Sequence, residues 1–204
     1  MLTQDQSRVG PARALSDADL IGRSLAEPGC FGEIFDRHAE EILRYAHARL
    51  GPDLAQDVVA ETFLAAFARR DRYDTTRADA RPWLYGIAVR QIGRHRRAAA
   101  RQLRLLRSVP ADPAEQDLGG RAAERVTAEQ LRPRLAAVLS RLSGQDRELL
   151  LLVAWAGLSY AESAQALGLT VSAVKSRLNR IRTRTRKALG GADPMHTDEE
   201  ISHG

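Results

Sequence analysis

Gly157-Leu158-Ser159-Tyr160-Ala161-Glu162, followed by Leu167-Gly168-Leu169-Thr170-Val171-Ser172-Ala173-Val174-Lys175-Ser176-Arg177-Leu178-Asn179-Arg180, reads as two short helices joined by a tight turn. Ser159 and Glu162 have the spacing of a capping box, in which each side chain satisfies a backbone N–H at a helix start. Thr170 can cap the next helix in the same way. Gly168 between them can take the left-handed conformation that a sharp reversal needs. Val174, Leu178 and Ile181 recur at four and then three residues and form one apolar stripe. Ser172, Lys175, Ser176, Asn179 and Arg180 are left on the other faces. A helix built this way buries one side and offers hydrogen-bonding groups to a major groove.

The second helix runs into a basic tail. Lys175, Arg177, Arg180, Arg182, Arg184, Arg186 and Lys187 fall between Val171 and Leu189 with no acidic residue among them. Such a stripe neutralises phosphates. A solvated helix with one charged face would show the same run, but not the turn and caps in front of it. The whole chain agrees in sign: its 204 residues carry a net charge of +5, with a pI near 10. All but two of its 31 basic residues are arginine, Lys175 and Lys187 being the exceptions. Arginine suits paired recognition of phosphate and guanine, although a GC-rich genome gives the same bias.

Composition predicts an all-α fold. The chain is 44% hydrophobic but only 5% aromatic. Its apolar residues are mostly Ala and Leu, and β-branched runs of period two are nearly absent. Cys30 is the single cysteine, which excludes an intramolecular disulfide and a cysteine-built zinc site. No apolar run approaches membrane-spanning length and the N-terminus lacks a signal-peptide pattern, so a cytoplasmic protein without membrane insertion is expected. No nucleophile–base set, metal cluster or phosphate loop is found. Neither a cofactor, a metal, a small-molecule substrate nor enzymatic activity is therefore expected.

The chain divides into two helical blocks. Residues 1–15 are polar and mixed, a disordered tail by composition. The first block, 16–105, opens with a helix start at Ser16-Asp17-Ala18-Asp19. A second helix is expected from near Cys30, with Phe31, Ile34, Phe35, Ile42, Leu43, Ala46 and Leu50 on its apolar face. Gly51-Pro52-Asp53 breaks it. A third helix runs from about Leu54 to Arg69, with Val58, Val59, Thr62, Phe63, Ala66 and Phe67 inside. After a loop to Ala80, Pro82 sits in the first turn of a long helix. Pro110, Pro113, Gly119 and Gly120 mark a flexible linker over 106–121. The second block, 122–189, contains a helix from about Ala122 to Leu142, kinked at Pro133, then a helix capped by Ser143, then the helix–turn–helix. An acidic tail, 190–204, carries Asp193, Asp198, Glu199 and Glu200.

The first block carries its own chemistry. Gln56-Asp57 and Glu61-Thr62 form a polar and acidic patch, with Asp57 and Glu61 four apart on one helix face. Paired carboxylates can perform acid–base work, but these lack His or metal-ligand companions at useful spacing. A surface that docks a basic partner and a plain solvated face remain. Further on, eight arginines fall between Arg81 and Arg107 with no acid, and Trp83 and Tyr85 stand at the front. Aromatic rings beside a basic groove hold unstacked single-stranded bases, whereas the structural alternative for Trp83 is a place in the core. Two basic surfaces on hinged blocks suggest one DNA touched at two places.

Taken in order, these residues resemble a bacterial sigma factor of the extracytoplasmic-function (ECF) group, from about Cys30 to Leu189. Phe31…Phe35-Asp36-Arg37-His38 resembles the opening of region two. Asp57-Val58-Val59-Ala60-Glu61-Thr62-Phe63 resembles the Asp-x-x-Gln-Glu-x-Phe core that binds the clamp helices of the polymerase β′ subunit, with Ala60 in place of Gln. Trp83-Leu84-Tyr85-Gly86-Ile87-Ala88 resembles the helix that melts and reads the −10 element, with Arg90 where the family often has Asn. Leu142-Ser143…Asp146-Arg147-Glu148 and the helix–turn–helix resemble region four, which reads the −35 element.

The resemblance implies two small helical domains and a mechanism. Asp57, Glu61 and Thr62 would dock on core RNA polymerase. Trp83, Arg90, Arg94 and Arg97 would take the single strand of the opened −10 element. Ser172, Lys175, Ser176, Asn179 and Arg180 would face base edges of duplex DNA at −35, with Arg177, Arg182 and Arg184 nearer phosphates. Family members are often held inactive by an anti-sigma factor. The alternative is a helix–turn–helix regulator that binds duplex DNA without polymerase.

Overall fold

A computed structural model of the chain describes residues 15–106, 137 and 139–188, and all regular structure among them is helical. The helix expected from about Ala122 to Leu142, and the linker and both tails, fall almost wholly outside the described residues. The elements are α1 (Asp17–Arg23), a 3₁₀ turn (Pro28–Phe31), α2 (Gly32–Leu50), α3 (Pro52–Ala68), a second 3₁₀ turn (Arg70–Arg72), α4 (Arg81–Leu106), α5 (Gly144–Ala154), α6 (Tyr160–Leu167) and α7 (Val171–Ala188).

Local chemistry sets the boundaries. Ser16 and Asp19 form a reciprocal capping box at the start of α1. Gly51, at φ 83°, ends α2, and Pro52 opens α3 in the next residue. This left-handed glycine lets two long helices fold back on each other without an intervening loop.

The first core lies between α2, α3 and α4. Ile34, Ile42 and Tyr45 of α2 meet Val58, Phe63 and Ala66 of α3 and Leu84, Ile87, Ala88 and Ile92 of α4. Each fully buried aliphatic side chain contributes about 1.5–3 kcal/mol. Aromatic edges join the layers: Phe31 meets Phe67 at 5.4 Å and Tyr45 meets Tyr85 at 5.2 Å. Asp17 ties α1 to this bundle, its N–H donating to the Ala78 carbonyl and its Oδ2 accepting from the Ala80 N–H, both at 3.0 Å.

A second, smaller core joins α5, α6 and α7 through Leu142, Leu149, Ala164, Val174, Leu178 and Ile181. The two cores are not separate bodies. Leu152, Ala156, Leu158 and Ala166 belong to the helix–turn–helix side of the sequence, yet they pack into the first core. Periodicity could not reveal this, because it shows which face is apolar and not which neighbour covers it.

Two expected placements need correction. Phe35, expected on the apolar face of its helix, is 43% exposed, with its ring edge-on to Phe63 at 4.9 Å. Thr62, which the helix pattern places inside and the family resemblance places on a docking surface, is fully buried with its hydroxyl unpaired, so the docking assignment falls. Thr62 lies on the α3 face that also carries Val58, Val59 and Ala66, so it belongs to the core.

Candidate nucleic-acid interface

The turn that was legible in the sequence is built as expected. Ser159 Oγ accepts the Glu162 N–H at 3.2 Å, and the Glu162 carboxylate accepts the Ser159 N–H at 2.7 Å. Gly168 adopts φ 65°, and Thr170 Oγ1 accepts the Ala173 N–H at 3.2 Å. These caps aim α7 away from α6. Val174, Leu178 and Ile181 are fully or almost fully buried, which fixes the rotation of α7 about its axis. Ser172, Lys175, Ser176, Asn179, Arg180 and Arg184 are thereby left exposed.

Two arginines of this helix are held differently. Arg177 is half-buried and donates to Gln145 Oε1 at 3.0 Å. Arg182 is half-buried and donates to the Tyr160 hydroxyl at 3.0 Å. Both bonds brace α7 against its neighbours and orient the guanidinium groups. The sequence had no signal for this bracing, since Gln145 and Tyr160 lie far from α7 along the chain.

On α4, Arg90, Arg94 and Arg97 are all exposed, at spacings of four and three residues, and form a ridge along one side of the helix. Arg94 is steadied by Gln91 Oε1 at 2.8 Å. Desolvation and the neighbouring Arg69 charge lower the pKa of Arg90. Trp83 is half-buried, and its ring stands 4.9 Å from that of Tyr73 at a tilt of 55°. The indole therefore packs on the first core while keeping part of its surface open.

The acidic helix α3 presents a mixed face. Asp57 and Ala60 are exposed, and Leu64 beyond them is 69% exposed. These positions, three and four apart, share one stripe. Glu61 lies half-open beside it, its Oε1 3.2 Å from His95 Nε2 of α4. An apolar centre beside carboxylates is a composition suited to protein contact, and Leu64 was not singled out from the sequence.

Asp17, His38 and Asp79 stand close enough to hold a cation. Asp17 is already committed, however, to His38, Arg37 and the Ala80 N–H, so the group is an ion-pair network. Among the described residues no helix is long and apolar enough to cross a membrane.

Two family models match the chain in the order that this geometry demands: sigma-70 region 2 over residues 34–102, and sigma-70 region 4 over residues 132–185. The chain is 32% identical to the ECF RNA polymerase sigma factor SigL of Mycobacterium tuberculosis, across 79% of this chain and 90% of that protein. The chain belongs to the ECF sigma factors. It is also 33% identical to the RNA polymerase sigma factor NccH of Alcaligenes xylosoxydans xylosoxydans, across 76% of this chain and 83% of that one. The structure of the sigma factor CnrH in complex with the cytosolic domain of CnrY is similar at TM-score 0.56 and 27% identity, covering 85% of this chain and 97% of that chain. Sigma factors are transcription initiation factors and not enzymes in the ordinary sense. Region 2 of this one contains α2, α3 and α4, and region 4 contains α5, α6 and α7.

Proposed function

We propose that this sigma factor docks on core RNA polymerase in the cytoplasm through Asp57, Glu61 and the adjoining Leu64. Its α4 takes the single strand of the −10 element, and its α7 reads the −35 duplex. One observation carries the reading: a mixed acidic and apolar helix face stands in the same chain as two separate arginine-rich faces. A regulator that acts without polymerase needs the second kind of surface and not the first.

On α7, Lys175, Ser176, Asn179 and Arg180 are the base-edge readers, and Arg184 with the braced Arg177 and Arg182 supplies phosphate contacts. On α4, Arg90, Arg94 and Arg97 hold backbone phosphates while the open edge of Trp83 meets a base. The chain performs no bond chemistry itself; polymerase does. The similarity to CnrH, solved with the cytosolic domain of CnrY, supports a protein partner besides polymerase for this chain as well.

Transcription in vitro with core polymerase and a promoter library tests the assignment. Start-site-specific transcripts that require this chain are expected. Binding to duplex DNA with no retention of core polymerase would instead establish the free-standing regulator.

A further inference from the structure

The exposed end of α4 builds a cleft against α3. Arg94, Arg97 and Arg101 follow one another at spacings of three and four residues, on one face of the helix. Ala98 lies between them and is too short to fill the space they enclose. Glu61 of α3 and His95 close the other side, leaving an open cleft of about 370 Å³. A Cβ placed on Gly93 would stand 3.2 Å from an Arg97 guanidinium nitrogen, so Arg97 lies back along the helix over that glycine.

The lining is chemically incomplete. Among the described residues, Arg94, Arg97 and Arg101 pair with no carboxylate, and Arg94 alone has a side-chain acceptor, Gln91 Oε1 at 2.8 Å. Glu61 Oε2 and His95 Nε2 are shielded from solvent yet have no hydrogen-bond partner. Glu61 Oε1 is 3.2 Å from His95 Nε2, but without the direction of a hydrogen bond. Unmet polar groups in a cleft wall cost free energy that a ligand with matching donors restores. The Glu61 side chain is 37% exposed, so a rotation of its carboxylate turns Oε2 to the opening.

These features select a ligand by its chemistry. Three guanidinium groups spread along about 10 Å of helix suit several negative charges in a row, as in a di- or triphosphate chain. An unmet carboxylate beside them suits a hydroxyl donor, and carboxylates commonly accept a ribose hydroxyl next to bound phosphates. The backbone of a DNA strand brings separate single charges and no hydroxyl, and would leave Glu61 unmet. The volume lies near the lower end of small-molecule sites, which span about 300–1,000 Å³.

We propose that the α3–α4 cleft binds a ribonucleoside di- or triphosphate, with its phosphates on Arg94, Arg97 and Arg101 and its ribose hydroxyls on Glu61. The site stands on this geometry alone. One consequence rests on the promoter-reading assignment above: Arg94 and Arg97 cannot serve a nucleotide and the −10 strand together, so the two compete.

Calorimetric titration of the full chain with ATP, GTP, their 2′-deoxy forms and inorganic triphosphate tests the site. ATP or GTP is expected to bind saturably at a single site, and its 2′-deoxy form about tenfold more weakly, through loss of a hydroxyl from a charged acceptor. Arg101→Ala, an exposed change that favours helix, should weaken the ribonucleotide about tenfold. Arg104→Ala, exposed on the same end of α4 but outside the cleft, should weaken it less than about twofold. Glu61→Ala should erase the preference for ribose over deoxyribose and leave inorganic triphosphate bound at least as tightly. Absence of saturable binding by ATP and GTP alike would overturn the site. Equal losses in Arg101→Ala and Arg104→Ala would also overturn it, as diffuse attraction to a basic chain. Equal affinity for ribo and deoxy forms in the wild type would overturn the ribonucleotide assignment. Labelled single-stranded DNA should be displaced from the chain by the bound nucleotide; nucleotide binding without displacement would overturn the competition and leave the site standing.

Discussion

His38 Nε2 lies 2.7 Å from Asp17 Oδ2, while the other ring nitrogen of His38 lies 3.0 Å from Glu41 Oε1. One imidazole thus joins α1 to α2 between two carboxylates. Burial alone would pull the His38 pKa down, but hydrogen bonds to Asp17 and Glu41 outweigh it and raise the value to about 9. Burial likewise pushes Asp17 up, and His38, the Ala80 N–H and Arg37 overcome it, holding the carboxyl at about 2.

These shifts set a pH window for stability. The raised His38 contributes fully below its ordinary value of 6.5 and loses that contribution as pH rises through about 9. The depressed Asp17 contributes fully above 3.8 and loses its share as pH falls towards about 2. The melting temperature is expected to be highest between these limits and to decline from pH 6.5 to 9. His38→Leu should cost about 3 kcal/mol near neutral pH, by removing one partner from each of the partly buried Asp17 and Glu41 carboxylates, and should flatten the alkaline decline. An unaltered alkaline slope in that variant would assign the decline to other groups.

Neighbouring residues of α3 should behave in opposite ways. Thr62→Val removes a buried, unpaired hydroxyl, so stability should hold or rise by about 1 kcal/mol, with polymerase binding intact. Asp57→Ala and Leu64→Ala alter exposed side chains and should change stability by no more than about 0.5 kcal/mol. Each should weaken retention on core polymerase by about 1 kcal/mol or more. Unfolding curves and a titration of labelled chain against core polymerase separate the two effects; undiminished affinity in Asp57→Ala would remove it from the docking face.

Arg180 and Arg182 are two residues apart but differently placed. Arg180 is exposed, and Arg180→Ala should cost about 1–3 kcal/mol at a cognate −35 site and relax the base preference there. Arg182 braces α7 through Tyr160, so Arg182→Ala should weaken all sequences alike and reduce the salt dependence of binding. Affinity measured on matched and mismatched duplexes at two salt concentrations distinguishes these outcomes. A uniform loss for Arg180→Ala would make it a phosphate contact.

Trp83 combines packing and exposure, and its replacement should show both. Trp83→Ala loses the contact with Tyr73 and should destabilise region 2 by about 2 kcal/mol, less than a fully buried tryptophan would. Below the melting transition it should still impair promoter opening more than closed-complex binding. Permanganate reactivity of the −10 element, set beside filter retention of the closed complex, checks this; equal losses would leave Trp83 a core residue alone.

The helix–turn–helix was legible because its determinants are local. Ser159, Glu162, Gly168 and Thr170 act within four residues of their partners, and the stripe from Val174 to Ile181 needs only helical period to be seen. The order of region 2 motifs before region 4 motifs was equally a property of the chain read from end to end. Other features depend on what lies across a helix and not along it. Thr62 sits beside Glu61 in sequence, yet a rotation of about 100° per residue sends one hydroxyl into the core and leaves the next carboxylate half-open beside His95. Phe35, expected on the apolar face of α2, emerges on the surface, and so does Leu64, which the sequence had not singled out. Tyr45 and Glu148, hydrogen-bonded though 103 residues apart, carry no local mark of each other. Sequence by itself therefore determined the helices, their caps and the family, because hydrogen bonds and periodicity over a few residues decide them. Only the tertiary structure decided which faces are covered and that region 4 rests on region 2, because burial and paired charge are set by neighbours the chain brings together only when it folds.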